Sequence, residues 1–136
     1  MIGFSTSQVK DLTGLTTRQL NYFDQTGLLK PSVREARGKG SNRLYSFRDL
    51  VALRLIAKFR GYGISLQAIR HAVEYIHRVE GKDLASAVLA VNGDDIVLVT
   101  RDQTVVSLVK NPDQLYLLID VGGIAKAVEE ALRRVG

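Results

Sequence analysis

The sequence predicts an α+β fold, in which an N-terminal winged helix-turn-helix of four helices and a β-hairpin precedes a small antiparallel β-meander with one helix. Two observations predict it. Residues 1–80 place apolar side chains at helical spacing between strong capping residues, whereas residues 81–136 hold short β-rich runs separated by turn residues. Gly81 marks this change of period and predicts a boundary between two domains, residues 1–80 and 81–136.

The first two helices are predicted from their capping residues. Residues 5–8 (Ser-Thr-Ser-Gln) and 16–19 (Thr-Thr-Arg-Gln) both have the spacing of a capping box, in which the first and fourth side chains bond each other's backbone. Gly14 and Gly27 then stand where a helix ends in a residue with positive φ, and Pro31 prevents the second helix from resuming. Two short helices joined by a short turn are a helix-turn-helix by spacing.

The wing is predicted from residues 32–43, which are rich in cations and glycine and suit the tip of a β-hairpin. Leu44-Tyr45 would be the returning strand. Gly38-Lys39-Gly40-Ser41 resembles a phosphate-binding loop only faintly, because the residue order of a nucleotide-binding P-loop is absent.

Two further helices are expected after the wing. Ser46 caps the third, with Asp49 in its first turn, and Ser65 caps the fourth after the break at Gly61-Tyr62-Gly63. The fourth helix carries an apolar stripe at helical spacing, which predicts its buried face. The stripe consists of Leu66, Ile69, Val73 and Ile76.

The C-terminal half reads as strands at residues 96–99, 105–109 and 115–119, followed by a helix from Gly122-Gly123 to about Arg134. Residues 84–91 are compatible with a strand or a helix. We favour a strand, because Asn92-Gly93 makes a good hairpin turn directly after it.

Charge is unevenly distributed along the chain. Residues 1–80 contain 13 Lys+Arg and 6 Asp+Glu, whereas residues 81–136 contain 6 and 8. A basic half joined to a mildly acidic half favours a polyanion-binding module with a different attachment. The absence of cysteine excludes disulfides and Cys-ligated metal sites.

Catalysis, cofactors and metals are not predicted. His71 and His77 stand six residues apart without an acidic cluster at ligand spacing, and we expect both to face solvent on the fourth helix. No Ser-His-Asp order or nucleophile elbow is visible. No apolar run approaches the ~20 residues of a membrane span, and no signal peptide pattern opens the chain. We therefore expect a cytoplasmic protein that is not an enzyme.

Residues 1 to about 76 resemble the DNA-binding domain of the MerR family of bacterial transcription regulators. The matching pieces are Leu15-Thr16-Thr17-Arg18, Leu20, Tyr22-Phe23-Asp24, Gly27-Leu28-Leu29-Lys30-Pro31, Arg43-Leu44-Tyr45-Ser46, Asp49-Leu50, and Gly63-Ile64-Ser65-Leu66 with Ile69. The resemblance implies a transcription regulator that binds a pseudo-palindromic operator in double-stranded DNA as a dimer. Asn21 stands where the family usually has Arg before its aromatic pair, a departure that bears on the operator sequence.

The expected DNA contacts lie on the second helix and on the wing. Arg18 can fork onto a guanine edge or clamp a phosphate. Asn21, on the same face, suits an adenine edge or a phosphate, and the resemblance implies that Arg43 contacts the DNA backbone. Several residues have structural alternatives: Thr16 and Thr17 as helix caps, Tyr22 as a half-buried aromatic, and Tyr45 as an anchor of the hairpin. The full predicted set is Thr16, Thr17, Arg18, Asn21, Tyr22, Lys30, Arg37, Lys39, Ser41, Arg43 and Tyr45.

Assembly is expected to depend on residues 82–136. Typical MerR members continue into a long helix that pairs across the dimer, which needs several heptads. Here Gly81 and a β-rich segment follow instead, so we expect a homodimer through residues 82–136. One alternative is an antitoxin-like DNA-binding interaction protein, whose exposed strand edges would receive a partner protein. A ligand sensor is a third reading, and RNA polymerase is a further partner that a regulator of this kind would meet.

Overall fold

The computed structural model describes residues 3–34, 43–59, 62–92, 95–100 and 116–135, and its fold is α+β. In chain order, the elements of these residues are β1 (Phe4–Ser5), α1 (Thr6–Thr13), α2 (Thr17–Thr26), β2 (Leu44–Tyr45), α3 (Phe47–Phe59), α4 (Leu66–Arg78), α5 (Gly81–Leu84), β3 (Ala87–Asn92), β4 (Asp95–Thr100), β5 (Leu117–Asp120) and α6 (Val121–Val135).

Both predicted capping boxes are confirmed. Ser5 Oγ accepts from Gln8 N at 3.3 Å, and Gln8 Oε1 accepts from Ser5 N at 2.9 Å. The same reciprocal pair joins Thr16 and Gln19, at 3.1 and 2.8 Å. Gly27 has a φ of 77° at the C-terminus of α2, which is the left-handed conformation expected of a glycine there. These caps fix the length of α2 at both ends.

The helix-turn-helix is joined to a small sheet at the base of the predicted wing. β1 pairs antiparallel with β2, and Val33 N and Arg34 N both donate to Leu44 O, at 3.2 and 3.1 Å. Residues 35–42, the tip of the predicted hairpin, lie outside the described residues. The winged part of the fold therefore stays a prediction.

Helices α3 and α4 begin as predicted, but one residue of the apolar stripe was wrongly placed. Ser46 Oγ accepts from Asp49 N at 3.0 Å, and Ser65 Oγ accepts from Ala68 N at 3.1 Å. Leu66 is 51% exposed, although Ile69 is buried as expected. Ala68 and its neighbours one turn on complete the buried face of α4, and Leu66 points about 90° away from its centre at 3.6 residues per turn.

The C-terminal sheet is antiparallel, as predicted, but its order is not that of a meander. β3 lies in the middle and pairs with β4, from Ala87↔Thr100 to Asn92↔Asp95. On its other side it pairs with β5, from Val88↔Asp120 to Val91↔Leu117. Leu89, Ala90 and Val91 of β3 are buried, and a central position satisfies the backbone groups on both of its edges. The predicted strand at 105–109 lies outside the described residues.

Residues 87–92 form a strand, as we favoured, whereas residues 81–84 form the short helix α5. Gly122 lies where α6 passes this turn. A Cβ atom at that position would stand 2.1 Å from Ala85 O, far inside van der Waals contact, so only glycine allows this approach of the two backbones.

One apolar core joins the two halves of the chain. Helix α3 lies at its centre, and Leu50, Val51, Ala52 and Leu53 have no exposed surface. α1, α4 and α6 all pack against α3, and the buried cluster runs from Val9 to Val128. Because elements from both sides of Gly81 share this core, the domain boundary at Gly81 stays a prediction from the sequence pattern. Among the described helices, none has the length and apolar character to cross a membrane.

Candidate nucleic-acid interface

Helix α2 presents one polar face to solvent. Leu20 and Phe23 hold its other face in the core, which leaves Thr17 and Arg18 exposed at its N-terminal turn. Within the described parts of the chain, no hydrogen bond or ion pair engages the Arg18 guanidinium. Its five N–H donors are therefore available to a ligand beside α2.

The N-terminal turn of α2 adds further donors to this face. Thr16 Oγ accepts from Gln19 N, so its cap role is real, but its own hydroxyl proton remains available to donate. The first backbone N–H groups of a helix have no partner within the helix, and the helix dipole makes this end electropositive. The arrangement suits an anionic group such as a phosphate oxygen.

Tyr22 is 58% exposed, and its ring meets Phe23 edge-on with the centroids 6.2 Å apart. The ring is thus supported from below while most of it faces solvent. This position leaves the hydroxyl accessible, as a phosphate contact by Tyr22 requires.

A group that we call the Asp24 cluster joins α2 to the residues around it. It consists of Asn21, Asp24, Lys30 and Arg43. The buried Asp24 carboxylate accepts from Lys30 Nζ at 3.2 Å through Oδ1 and from Arg43 Nε at 3.0 Å through Oδ2. Lys30 Nζ also donates to Asp24 O at 3.0 Å. Arg43 Nη1 donates to Asn21 Oδ1, so one guanidinium bridges two residues of α2.

The two cations of this cluster differ in exposure. The Lys30 side chain is 54% exposed, whereas that of Arg43 is only 19% exposed. Lys30 therefore reaches solvent with part of its charge still free to approach a phosphate. Arg43 is committed to contacts inside the protein. Sequence reasoning included Asp24 in the matching motif but gave it no role, since its partners are six and 19 residues away.

The remaining members of the predicted set fall in two groups. Arg37, Lys39 and Ser41 lie outside the described residues. Tyr45 is buried, and in the described part of the chain its hydroxyl has no hydrogen-bond partner. Burial raises the pKa of this hydroxyl above its usual value. This position favours the anchoring alternative for Tyr45, and we leave it out of the interface.

A second group, the Asp49 cluster, joins the wing base to α3 and α4. It consists of Ser32, Ser46, Asp49 and His77. The fully buried Asp49 accepts from Ser32 Oγ at 2.6 Å and from Ser32 N at 2.7 Å. It also accepts from Ser46 N at 2.9 Å, and His77 Nε2 lies 2.6 Å from Asp49 Oδ1. The carboxylate thus holds residues from three separate segments.

The environment of the imidazole indicates its protonation state. His77 Nδ1 lies 2.9 Å from Val73 O, and Nε2 faces the Asp49 carboxylate. Both partners only accept, so the ring carries a proton on each nitrogen when both bonds form. The hydrogen bond to Asp49 raises the pKa of His77, against the lowering effect of burial. Burial raises the pKa of Asp49, but the hydrogen bonds that it accepts outweigh this, so its pKa lies below the usual value.

His77 is exposed, as expected, but it has a role that the sequence did not predict. Its side chain, which is 31% exposed, pairs with Asp49, because α4 brings it to the first turn of α3. His71 is exposed, as expected. In the parts of the chain that are described, no group of His, Asp and Glu side chains has the arrangement of a metal site.

Comparison with known families decides what this architecture is. The model of a family described as MerR HTH family regulatory protein matches residues 4–76, more than half of the chain. The chain belongs to the MerR family. The matched region of this MerR protein runs from β1 into α4 and includes every residue of the two clusters except His77.

Related MerR-like proteins carry names that fit this assignment. A protein of Mycobacterium tuberculosis named as an uncharacterized HTH-type transcriptional regulator is 36% identical over 116 residues, which are 85% of this chain and 52% of that protein. The HTH-type transcriptional regulator GlnR of Bacillus cereus is 34% identical over 65 residues, which are 48% of this chain and 47% of the GlnR chain. HmrR of Sinorhizobium medicae is 32% identical over 63 residues, 46% and 41% of the two chains. The chain thus spans about half the length of the curated relatives it matches.

Proposed function

We propose that this MerR-family chain binds double-stranded DNA with sequence specificity, as a dimer on a pseudo-palindromic operator, and regulates transcription there. The observation that supports it best is the exposed polar face of α2, whose N-terminal turn carries an Arg18 guanidinium that no other described residue engages. A helix of this kind enters the major groove with its N-terminal residues toward the base edges.

Each exposed residue then has a role that suits its position. Arg18 forks onto guanine O6 and N7. Thr16, Thr17 and Tyr22 bond phosphates beside the groove, and Lys30 neutralises a further phosphate. Arg37, Lys39 and Ser41 extend the contacts along the DNA from the wing.

The path of the chain after α4 supports the proposal that the dimer forms through residues 82–136. That helix ends at Arg78, and the four-residue α5 and the sheet follow it. No long helix that could form an antiparallel coiled coil occurs in residues 79–92, which are all described. Sedimentation velocity of the full chain should show a dimer at the protein concentrations that saturate the operator. A monomer at those concentrations would contradict this assembly. No observation on the described residues or the relatives favours the antitoxin-like alternative.

The contact by Arg18 is tested by comparing specific and random DNA. Arg18→Ala should weaken binding to a selected operator by ~1–3 kcal/mol and relax the preference at one base pair, because the lost guanidinium would read a base edge. Fluorescence anisotropy at physiological salt measures both affinities. Arg70→Ala on α4 removes the same charge and serves as the control. An equal loss on operator and random DNA would contradict base recognition by Arg18.

A further inference from the structure

We propose that Arg43 is a positioning residue that orients the Asn21 amide, so that Asn21 presents N–H donors to the DNA and prefers guanine over adenine. The inference rests on the proposed DNA binding and assigns the specificity of one residue within it. The observation that carries it is the bridge from the Arg43 guanidinium to both Asn21 and Asp24.

The bridge decides which end of the amide is occupied. A guanidinium has five donors and no acceptor, so the Asn21 atom that faces Arg43 is the carbonyl oxygen. The amide nitrogen is then the end of the side chain that remains for other partners. This orientation follows from hydrogen-bond chemistry alone.

Arg43 is itself held in place. Its Nε bonds Asp24 Oδ2 at 3.0 Å, and Lys30 occupies the other carboxylate oxygen at 3.2 Å. Asp24 lies one turn after Asn21 on α2, where side chains three apart are neighbours. Since the Arg43 side chain is only 19% exposed, it has little room to release Asn21 and swing toward solvent.

The fixed orientation has a consequence for base recognition. A bidentate contact between Asn and adenine needs the amide oxygen to accept from N6 while the nitrogen donates to N7. In this chain the contact with Arg43 uses one lone pair of the oxygen and turns the oxygen toward Arg43, while the nitrogen offers two N–H donors. Guanine presents two adjacent acceptors, N7 and O6, in the major groove. Asn21 therefore suits guanine, and Arg43 contributes to this choice without contacting the base.

The test begins with selection of bound sequences by the full chain and by Asn21→Ala, which identifies the base pair that Asn21 reads. We expect guanine there, with about tenfold weaker binding of adenine. Replacement of that guanine by 7-deazaguanine removes N7 and should weaken binding of the unmodified chain, but not that of Asn21→Ala. A preference for adenine, or an unchanged profile in Asn21→Ala, would overturn the inference.

Arg43→Lys separates positioning from direct contact. Lysine keeps the charge beside Asp24 but lacks the planar fork that reaches Asn21, so discrimination of guanine from adenine should fall to about threefold or less. In the Asn21→Ala background, Arg43→Lys should leave the base preference unchanged if Arg43 acts only through Asn21. If Arg43 contacted a base directly, the substitution would change the base preference in that background too. Circular dichroism confirms that each variant folds.

A chain that binds all sequences equally would overturn the proposed function itself. Specific binding with guanine discrimination unaffected by Arg43→Lys would overturn only the positioning role.

Discussion

Two buried carboxylates, Asp24 and Asp49, hold residues near the wing base, and their partners differ. Asp24 is buried at the edge of the core and pairs with two cations, one of them more than half exposed. Asp49 is buried completely and pairs with hydroxyl and backbone amide donors and with the His77 imidazole, whose pKa is raised. The first cluster retains charge at the surface, where DNA would lie. The second has its carboxylate entirely inside the protein. The comparison predicts that changes at Asp24 act on recognition and changes at Asp49 act on stability.

The largest effect is expected from Asp49→Ala. The substitution leaves the part-buried N–H and O–H donors of Ser32 and the N–H donor of Ser46 without an acceptor, and it removes the counterion of His77. We expect the free energy of unfolding to fall by ~3 kcal/mol, as measured by urea denaturation. Asp11→Ala, at an exposed position of α1, should change it by less than ~0.5 kcal/mol. Equal midpoints for the two variants would contradict the structural role of Asp49.

Asp24→Asn should have a smaller effect on stability and a clear one on DNA binding. The amide keeps the shape of the carboxylate but loses the charge that holds Arg43 and Lys30, and we expect a loss of ~1–2 kcal/mol in the free energy of unfolding. Sequence discrimination should weaken as well, because Arg43 loses its anchor. Urea denaturation and operator titration measure the two effects. If Asp24→Asn lost as much stability as Asp49→Ala and kept its sequence discrimination, the distinction between the two clusters would be contradicted.

The pH dependence of stability should come from the Asp49 cluster. Because the pKa of His77 is raised in the folded chain, its contribution is complete below the unfolded pKa of about 6.5. That contribution is lost as the pH rises through the higher folded value. Asp49 has a lowered pKa, so its contribution is present above the usual value near 3.8 and is lost as the pH falls through the folded value.

His77→Gln isolates the contribution of His77 to the free energy of unfolding. The variant should be less stable than the unmodified chain by ~1 kcal/mol at pH 6, and the difference should shrink as the pH rises. Urea denaturation across this pH range checks it, with His71→Gln as the matched control on the exposed side of α4. A difference that grows with pH would mean that His77 is bound as the neutral ring.

The smallest change in stability is expected for Lys30→Ala. An exposed ion pair contributes less than ~1 kcal/mol, so unfolding should hardly change. Affinity should fall by a similar factor for every DNA sequence, and the slope of log K against log salt should decrease by about 1. Titrations at several salt concentrations measure that slope. An unchanged slope would place Lys30 away from the phosphates.

The features of this molecule that the sequence predicts well depend on interactions between residues only a few positions apart. The pairs Ser5–Gln8 and Thr16–Gln19 lie three apart, and Gly27 needs only its own backbone freedom. Their geometry is set by local chemistry, and the structure confirms it. The MerR resemblance was readable for the same reason, since its matching pieces are short and ordered along the chain.

The contacts that were missed connect distant residues. Asp49 and His77 are 28 residues apart, and Asp24 and Arg43 are 19 apart. Nothing local distinguishes an acidic residue that faces water from one that meets a distant cation. Tyr45 belongs to a two-residue strand, which is too short for alternation to show which side chain points inward. The order of β3, β4 and β5 escaped prediction because the same apolar runs fit more than one pairing.

The Asp49 carboxylate bonds the backbone N–H groups of both Ser32 and Ser46, and thereby fixes both ends of the segment between them. The cost of closing a segment grows only with the logarithm of its length, by about 0.6 kcal/mol for each doubling. Residues inserted between Arg34 and Arg43 would therefore cost little in stability, while both serines stay bonded to Asp49. Evolution can lengthen or shorten this segment without rebuilding the helices on either side of it.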